Sequence, residues 1–401
     1  MTAHSRFSAS AAARWSACPG SIVLTQDLPS TTSSAALAGT IGHEVADICL
    51  KTKVNAFQIT VVEIDGVQHD VPEETQIAVN NYIEFLHSRG GTIMSEVRID
   101  YAKLLGVPKG DGFGTSDAVI LLNNGDIEIH DLKLGHGIVD VSGNPQLMLY
   151  AAGVAATLEE ATGEPVELAT IGIYQPAASR FGTTEDMTKK ELDAEIKNLK
   201  SAAKSAIAAE KLFKVSGPTP AFYEDYTRAG EEQCKWCKHA ASCPTLLAAT
   251  QEVVAACTSD DFDVVSAPSL IDDAPVRKAY ESIPLLENFI RAVQDEVYAR
   301  AVAGRGEYVG VKFVAGRAGN RKWADENIAA QELLVVLPAE TVYTKNLLSP
   351  AKAETALKKA KATSVDLSTL VTRSAPSKTI APINDPRPEW SAEGATTEDF
   401  S

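Results

Sequence analysis

The chain has 401 residues, a formal net charge of -16, 45% hydrophobic and 22% charged residues, the balance of an ordinary globular protein with room for two domains. That negative charge argues against nucleic-acid binding by bulk electrostatics, while leaving open an enzyme whose metal site needs carboxylates and whose phosphate contacts need only a local basic groove. The sequence has no apolar run of the ~18 residues that a membrane span requires, and it opens without the basic start and apolar stretch of a secretory leader, so a cytoplasmic location and no membrane partner are expected.

In chain order, residues 34–52 predict a helix, and 73–88 predict a second whose apolar positions are Ile77, Tyr82, Ile83, Phe85 and Leu86. Three strands are expected at 95–100, 115–122 and 126–134, the last two joined by the turn signal Asn123-Asn124-Gly125-Asp126. A helix over 144–160 opens at Asn144-Pro145, with proline suited to the first helical position. A strand at 167–175 and a long helix at 188–214 follow. Helix, three strands, helix, strand and helix predict an α/β domain over 1–257, built on a mixed sheet flanked by helices. The acidic, Pro- and Ser-containing stretch 258–275 reads as a linker. An amphipathic helix over 276–302, with Leu285, Phe289, Val293 and Val297 on one face, opens a smaller C-terminal α+β region reaching residue 385. The Pro-, Glu- and Thr-rich tail 386–401 reads as disordered.

The chemistry-bearing residues cluster in the first domain. Asp117 lies in one strand of the expected hairpin, and Asp131-Leu132-Lys133 closes the next. Alternation along a strand puts Asp131 and Lys133 on one side, and the hairpin brings Asp117 beside them. Two carboxylates and an ammonium suit Mg²⁺ or Mn²⁺ and a phosphate in transfer. Upstream, His43 and Asp47 are four residues apart on one helix face, with Glu44 next to the histidine. Downstream, Gln146 and Tyr150 share a helix face in the same way, and Glu96 is a further acidic candidate.

Taken in order, Gly39-x3-His43-Glu44, Gly114-x2-Asp117, Asp131-x-Lys133 and Gln146-x3-Tyr150 resemble the RecB-like branch of the PD-(D/E)xK nuclease superfamily over roughly residues 1–250. The resemblance implies a restriction-endonuclease-like core, a metal held by His43, Asp117 and Asp131, a catalytic Lys133, and Gln146 and Tyr150 at the DNA-facing edge. It implies a metal-dependent DNA exonuclease, acting in phage recombination or end processing in a bacterial host, with a single-strand annealing protein or a helicase as natural partners and oligomerisation left open. The segments 8–21, 39–44, 144–150, 319–323 and 348–354 also resemble a phage and prophage family of uncharacterised RecB-type proteins. A non-catalytic DNA-binding or assembly module is the alternative.

Cys234, Cys237 and Cys243 crowd into ten residues, which in a chain of this kind reads as metal or cluster ligation. Together with Cys18 they resemble the arrangement in AddB-type and CRISPR-associated RecB-type nucleases, which implies a [4Fe–4S] cluster stapling the N-terminal segment to the end of the domain. A Cys₃His zinc site using His239 is the rival. Cys49 and Cys257 are expected to be plain buried thiols. In the C-terminal region Arg317, Arg321, Lys322 and Trp323 could hold a phosphate backbone and stack a base, and Lys352, Lys358, Lys359 and Lys361 could track DNA. No Walker A pattern is present, so no motor activity is expected.

Overall fold

Six consecutive residues, Ile127–Leu132, are buried along the whole strand they form, and a strand buried on both faces belongs in the middle of a covered sheet. The computed structural model places it there. It describes residues 5–28, 34–135, 138–176, 182–257, 277, 280–315, 322–343, 348, 350, 353, 356–357, 360, 366–372 and 378–382. The chain divides into two compact units, Met1–Ala292 and Val293–Ser401.

In the first unit a hairpin, β1 (Val61–Ile64) and β2 (Val67–Asp70), precedes a five-stranded sheet. The sheet comprises β3 (Thr92–Asp100), β4 (Phe113–Leu121), β5 (Ile127–Leu132), β6 (Leu168–Tyr174) and β7 (Thr183–Thr188), in that spatial order. All neighbours are antiparallel except β5 and β6, which run parallel and therefore need a crossover. The helices of this unit are α1 (Ala12–Ala17), α2 (Ser21–Thr25), α3 (Ser34–Thr52), α4 (Glu73–Arg89), α5 (Ala102–Leu105), α6 (Pro145–Thr162), α7 (Lys189–Ser216), α8 (Pro220–Tyr226), α9 (Glu231–Lys235) and α10 (Pro244–Cys257). The crossover is α6, capped by Asn144, whose side chain accepts from the N–H groups of Gln146 and Leu147, and closed by Gly163 at φ 77°. Thr188 and Glu191 form a capping box that starts α7.

Two apolar layers sandwich the sheet. Ile127, Ile129 and Ile171 face α6 and α7 with Leu149, Ala151 and Leu199, while Ile120, Leu132 and Tyr174 face α3 and α4 with Val45, Tyr82 and Leu86. Each fully buried isoleucine contributes about 1.5–3 kcal/mol through the area it removes from water. The expected mixed sheet flanked by helices is thus present, with one more strand than the sequence suggested: β7 is a polar edge strand. Ile77 of α4 is solvent-exposed rather than part of the core face, because that face is set by Val79, Tyr82 and Leu86.

The second unit contains the antiparallel pairs β8 (Val311–Ala315) with β11 (Lys378–Pro382) and β9 (Lys322–Trp323) with β10 (Val371–Thr372), together with α12 (Glu326–Val336) and α13 (Ala339–Val342). The amphipathic helix α11 (Ile283–Val302) crosses the division between units. Leu285 and Phe289 pack near Cys234 and Leu246, but Val293, expected on the same face, is exposed. The linker 258–275, the tail 386–401, Arg317, Arg321, Lys352, Lys358, Lys359, Lys361 and the side chains of Lys322 and Cys257 lie outside the described residues. Trp323 is half-buried against the cluster that contains Leu348 and Leu357, and its Nε1–H donates to Leu348 O at 2.7 Å. Among the described residues no helix is long and apolar enough to cross a membrane.

Candidate metal centre

Glu96 on β3, Asp117 on β4 and Asp131 on β5 fall at one level of the sheet. Ser95 pairs with Ala118 and Val97 with Ser116, which sets Glu96 opposite Asp117. Ala118 pairs with His130, which sets Asp117 opposite Asp131. At this level the backbone ladder opens. Glu96 takes φ +46°, a left-handed conformation that costs a non-glycine residue about 1–2 kcal/mol. The Leu132 N–H donates to Asp117 Oδ2 at 2.7 Å instead of to a neighbouring strand, so the carboxylate itself satisfies a backbone group freed by the opening.

Helix α3 brings His43 to the same place, with Nδ1 3.2 Å from Asp117 Oδ2. Its neighbour Gly42 allows this approach, since a Cβ there would run into Leu134 Cδ1. His43, Glu96 and Asp117 each present one ligand atom within 4.8 Å of the others, a nitrogen and oxygen set that fits a divalent cation such as Mn²⁺ or Mg²⁺. Asp131 sits one step deeper, 4% exposed. Its Oδ1 accepts from Gln146 Nε2 at 2.9 Å, and its Oδ2 lies 2.5 Å from Lys133 Nζ.

The electrostatics ask for positive charge. Burial, with the nearby charge of Asp117, pushes the Glu96 carboxyl up to about 7. The same two causes push Asp131 up to about 6, against the pull of Lys133 and His43. Burial disfavours the charged form of Lys133, but Asp131 and Asp117 outweigh it and hold the ammonium protonated above its ordinary range. His43 behaves likewise: burial lowers it, and the hydrogen bond and charge of Asp117 raise it further. Burial and mutual repulsion raise both carboxyls, and a cation placed among them would relieve that repulsion.

The structure therefore brings together His43, Glu96, Asp117, Asp131, Lys133 and Gln146. Glu44 is exposed on α3 and stands outside the group. Asp47 accepts from Ser95 Oγ at 2.7 Å and pairs with Lys51 at 2.8 Å, so it steadies α3 against β3. Tyr150 hydrogen-bonds Gln146, yet it is 4% exposed, and a Cβ at Gly114 would lie 2.7 Å from its ring. It packs under β4, with its hydroxyl beside Gln146 and in the field of Asp131 and Asp117.

The cysteine turn sits elsewhere on the same unit. Cys18 follows α1, and Cys234, Cys237 and Cys243 fall on or after α9. Burial pushes the Cys18 thiol up to about 11; the Arg228 N–H, donating at 3.5 Å, opposes this, and Cys237, Cys243 and Cys234 add to it. Residues more than two hundred positions apart are thereby neighbours. Among the described residues no three cysteine sulfurs fall within 4.8 Å of one another, whereas a tetrahedral zinc with 2.3 Å bonds holds its sulfurs roughly 3.8 Å apart. His239 spends both ring nitrogens on Tyr223 Oη at 3.1 Å and Ser242 Oγ at 3.2 Å. Cys49 is buried in the α3–α4 layer, as a plain thiol would be.

Two residues near this turn were not among the expected site residues: Arg14, which lies in the family-like segment 8–21, and Trp236, which carried no signal in the sequence. Both line a cavity of about 510 Å³ that also takes in Lys133 and Gln146.

Over 57% of its length the chain is similar to 95% of a solved structure described as "Crystal structure of SSO0001", at 13% identity and a TM-score of 0.23. Residues 4–388 match the family described as "Protein of unknown function (DUF2800)", and the chain belongs to that family.

Proposed function

We propose that the first unit is a metal-dependent nuclease of restriction-endonuclease-like fold that hydrolyses phosphodiester bonds in DNA, an exonuclease serving phage recombination or end processing. The observation that carries this reading is the strained Glu96, held at φ +46° with its carboxylate beside Asp117 and His43. Backbone strain kept in the middle of a strand is the mark of a functional constraint.

His43, Glu96 and Asp117 would hold the cation, with Asp131 behind them. A bound Mg²⁺ or Mn²⁺ supplies an acidified water and a counter-charge for the phosphate. Lys133, kept cationic beside Asp131, is placed to neutralise charge on a phosphate oxygen or to orient the attacking water. Gln146 fixes the Asp131 carboxylate by its 2.9 Å hydrogen bond, and Tyr150 fixes Gln146 from below. The cysteine turn is read as the seat of a [4Fe–4S] cluster on Cys18, Cys234, Cys237 and Cys243, which lie near one another, while His239, the zinc rival's fourth ligand, is engaged by Tyr223 and Ser242. Such a cluster would tie Cys18 to the end of the unit and restrain the long intervening loop.

The alternative is a DNA-binding or assembly module in which these side chains serve no reaction; Asp131 Oδ2, buried with no hydrogen-bond partner among the described residues beside its ion-pair contact with Lys133, weighs against it. The test is anaerobic purification followed by Mn²⁺-dependent digestion of end-labelled linear DNA, with absorbance read near 400 nm on the same sample. Metal-dependent release of label supports the nuclease. A protein that binds DNA and never cuts it, with any divalent cation, leaves the module.

A further inference from the structure

Trp236 is the first residue after α9, between two of the clustered cysteines, and it is 72% exposed. An exposed indole offers a flat apolar face available for stacking. Its surroundings are cationic. Arg14 Nη1 donates to Trp236 O at 3.2 Å, the Arg291 guanidinium lies 5.9 Å from the ring centroid, and Lys235 precedes it in the chain. Arg14 Nε is buried with no acceptor among the described residues, a donor that an incoming anion would satisfy. Trp236, Arg14 and Lys235 line the same 510 Å³ cavity as Lys133 and Gln146, so the platform shares one space with the two side chains that contact Asp131. Asp140 and Glu232 line it too, which keeps the groove from gripping polyanions by charge alone and leaves stacking as the selective contact.

We propose that this turn guides a single strand of DNA to the metal centre. An unpaired base stacks on the Trp236 indole while Arg14 and Lys235 hold the adjoining phosphates. Duplex is excluded from this contact because each base in it is already covered on both faces; stacking on an aromatic side chain needs an unpaired base. The nuclease reading above supplies only the destination of the strand, and the strand contact stands or falls by itself.

The experiment is fluorescence anisotropy of the full chain with a fluorescein-labelled oligothymidylate, and separately with a blunt duplex, in EDTA so that no cutting intervenes. Wild type, Trp236→Ala, Trp236→Phe and Arg14→Gln are compared, each checked by circular dichroism. The expected result is that Trp236→Ala weakens single-strand binding about tenfold, within the range that base–aromatic stacking commands. Trp236→Phe should recover most of that loss, Arg14→Gln should steepen neither curve but weaken the single strand severalfold, and duplex binding should move little. Single-strand affinity unchanged by Trp236→Ala, an equal loss on both substrates, or no single-strand binding by wild type would each overturn the proposal. A chain that cuts DNA with Trp236-independent binding would fail here alone. Trp236-dependent binding in a chain that never cuts would instead remove the nuclease reading and keep this one.

Discussion

Replacing Glu96 by glycine is expected to stabilise the metal-free protein while disabling it. Three effects set the size. Relief of the left-handed backbone at φ +46° returns about 1–2 kcal/mol. Glycine takes back about 0.5–1 kcal/mol through the greater freedom of the unfolded chain. The third effect depends on pH. The folded carboxyl is raised to about 7 from 4.5, so the native state binds the proton more tightly than the unfolded one. Folding is therefore penalised progressively as pH rises from about 4.5 to 7, and fully above that. Unscreened, a shift of that size corresponds to about 3 kcal/mol; with Glu96 half-exposed, solvent reduces it to about 1 kcal/mol. Glu96→Gly should thus be close to neutral at pH 5 and more stable than wild type by about 1–2 kcal/mol at pH 8. Glu96→Gln removes the charge but keeps the strained backbone, so it should gain only the pH-dependent part. Urea unfolding in EDTA at both pH values measures this. Both variants less stable than wild type by more than about 1 kcal/mol at pH 8 would refute the reasoning.

Three more expectations concern the rest of the unit. Glu128 accepts bidentately from Arg89, at 2.9 Å to each oxygen, and contacts His130 Nε2 at 2.7 Å. Burial opposes its charge, yet these partners hold its carboxyl down to about 2. Its contribution is therefore present above about 4.5 and fades as pH falls toward 2, and Glu128→Gln should cost about 2–4 kcal/mol at pH 7, roughly half that near pH 3 and little near pH 2, by urea unfolding. Gly114→Ala places a methyl 2.7 Å from the Tyr150 ring, and since the ring is pinned by α6 the expected cost is about 1–3 kcal/mol, read as a lower thermal midpoint. Cys18→Ser, which detaches the N-terminal segment from the cysteine turn, should abolish absorbance near 400 nm and lower the thermal midpoint in anaerobic scans, while a zinc site built on Cys234, Cys237, His239 and Cys243 would leave metal content unchanged.

Much of the sheet was legible because its strands obey simple periodicity. Val119 and Ile120 on β4, and Ile127 and Ile129 on β5, are apolar where a doubly covered strand must be, and the Asn-Gly turn between them fixes the hairpin. β7 was not legible: its residues Thr183 to Thr188 form an edge strand held by backbone pairing with β6, with no apolar alternation to betray it. The hairpin of β1 and β2 could have been found, since Asp65-Gly66 take φ 50° and 80°, the conformation for which Asp-Gly is the sequence signal. In the site, strand alternation placed Asp131 with Lys133 correctly as neighbours. It could not reveal that Lys133 and Gln146 occupy the Asp131 oxygens while Glu96 joins His43 and Asp117. That exchange depends on the left-handed turn of one glutamate, which no residue pattern encodes. Helix spacing put Tyr150 on one face with Gln146, as found, but could not show what covers that face; β4 does, through Gly114.

The most direct test of the central claim is the Mn²⁺-dependent cleavage rate of Asp117→Asn and Lys133→Ala beside wild type, on one end-labelled linear DNA, with each variant's fold verified by its thermal midpoint. A functional metal centre at the opening of β3, β4 and β5 predicts active wild type and losses of about 100-fold or more in both variants. Folded variants that cut at the wild-type rate would contradict it.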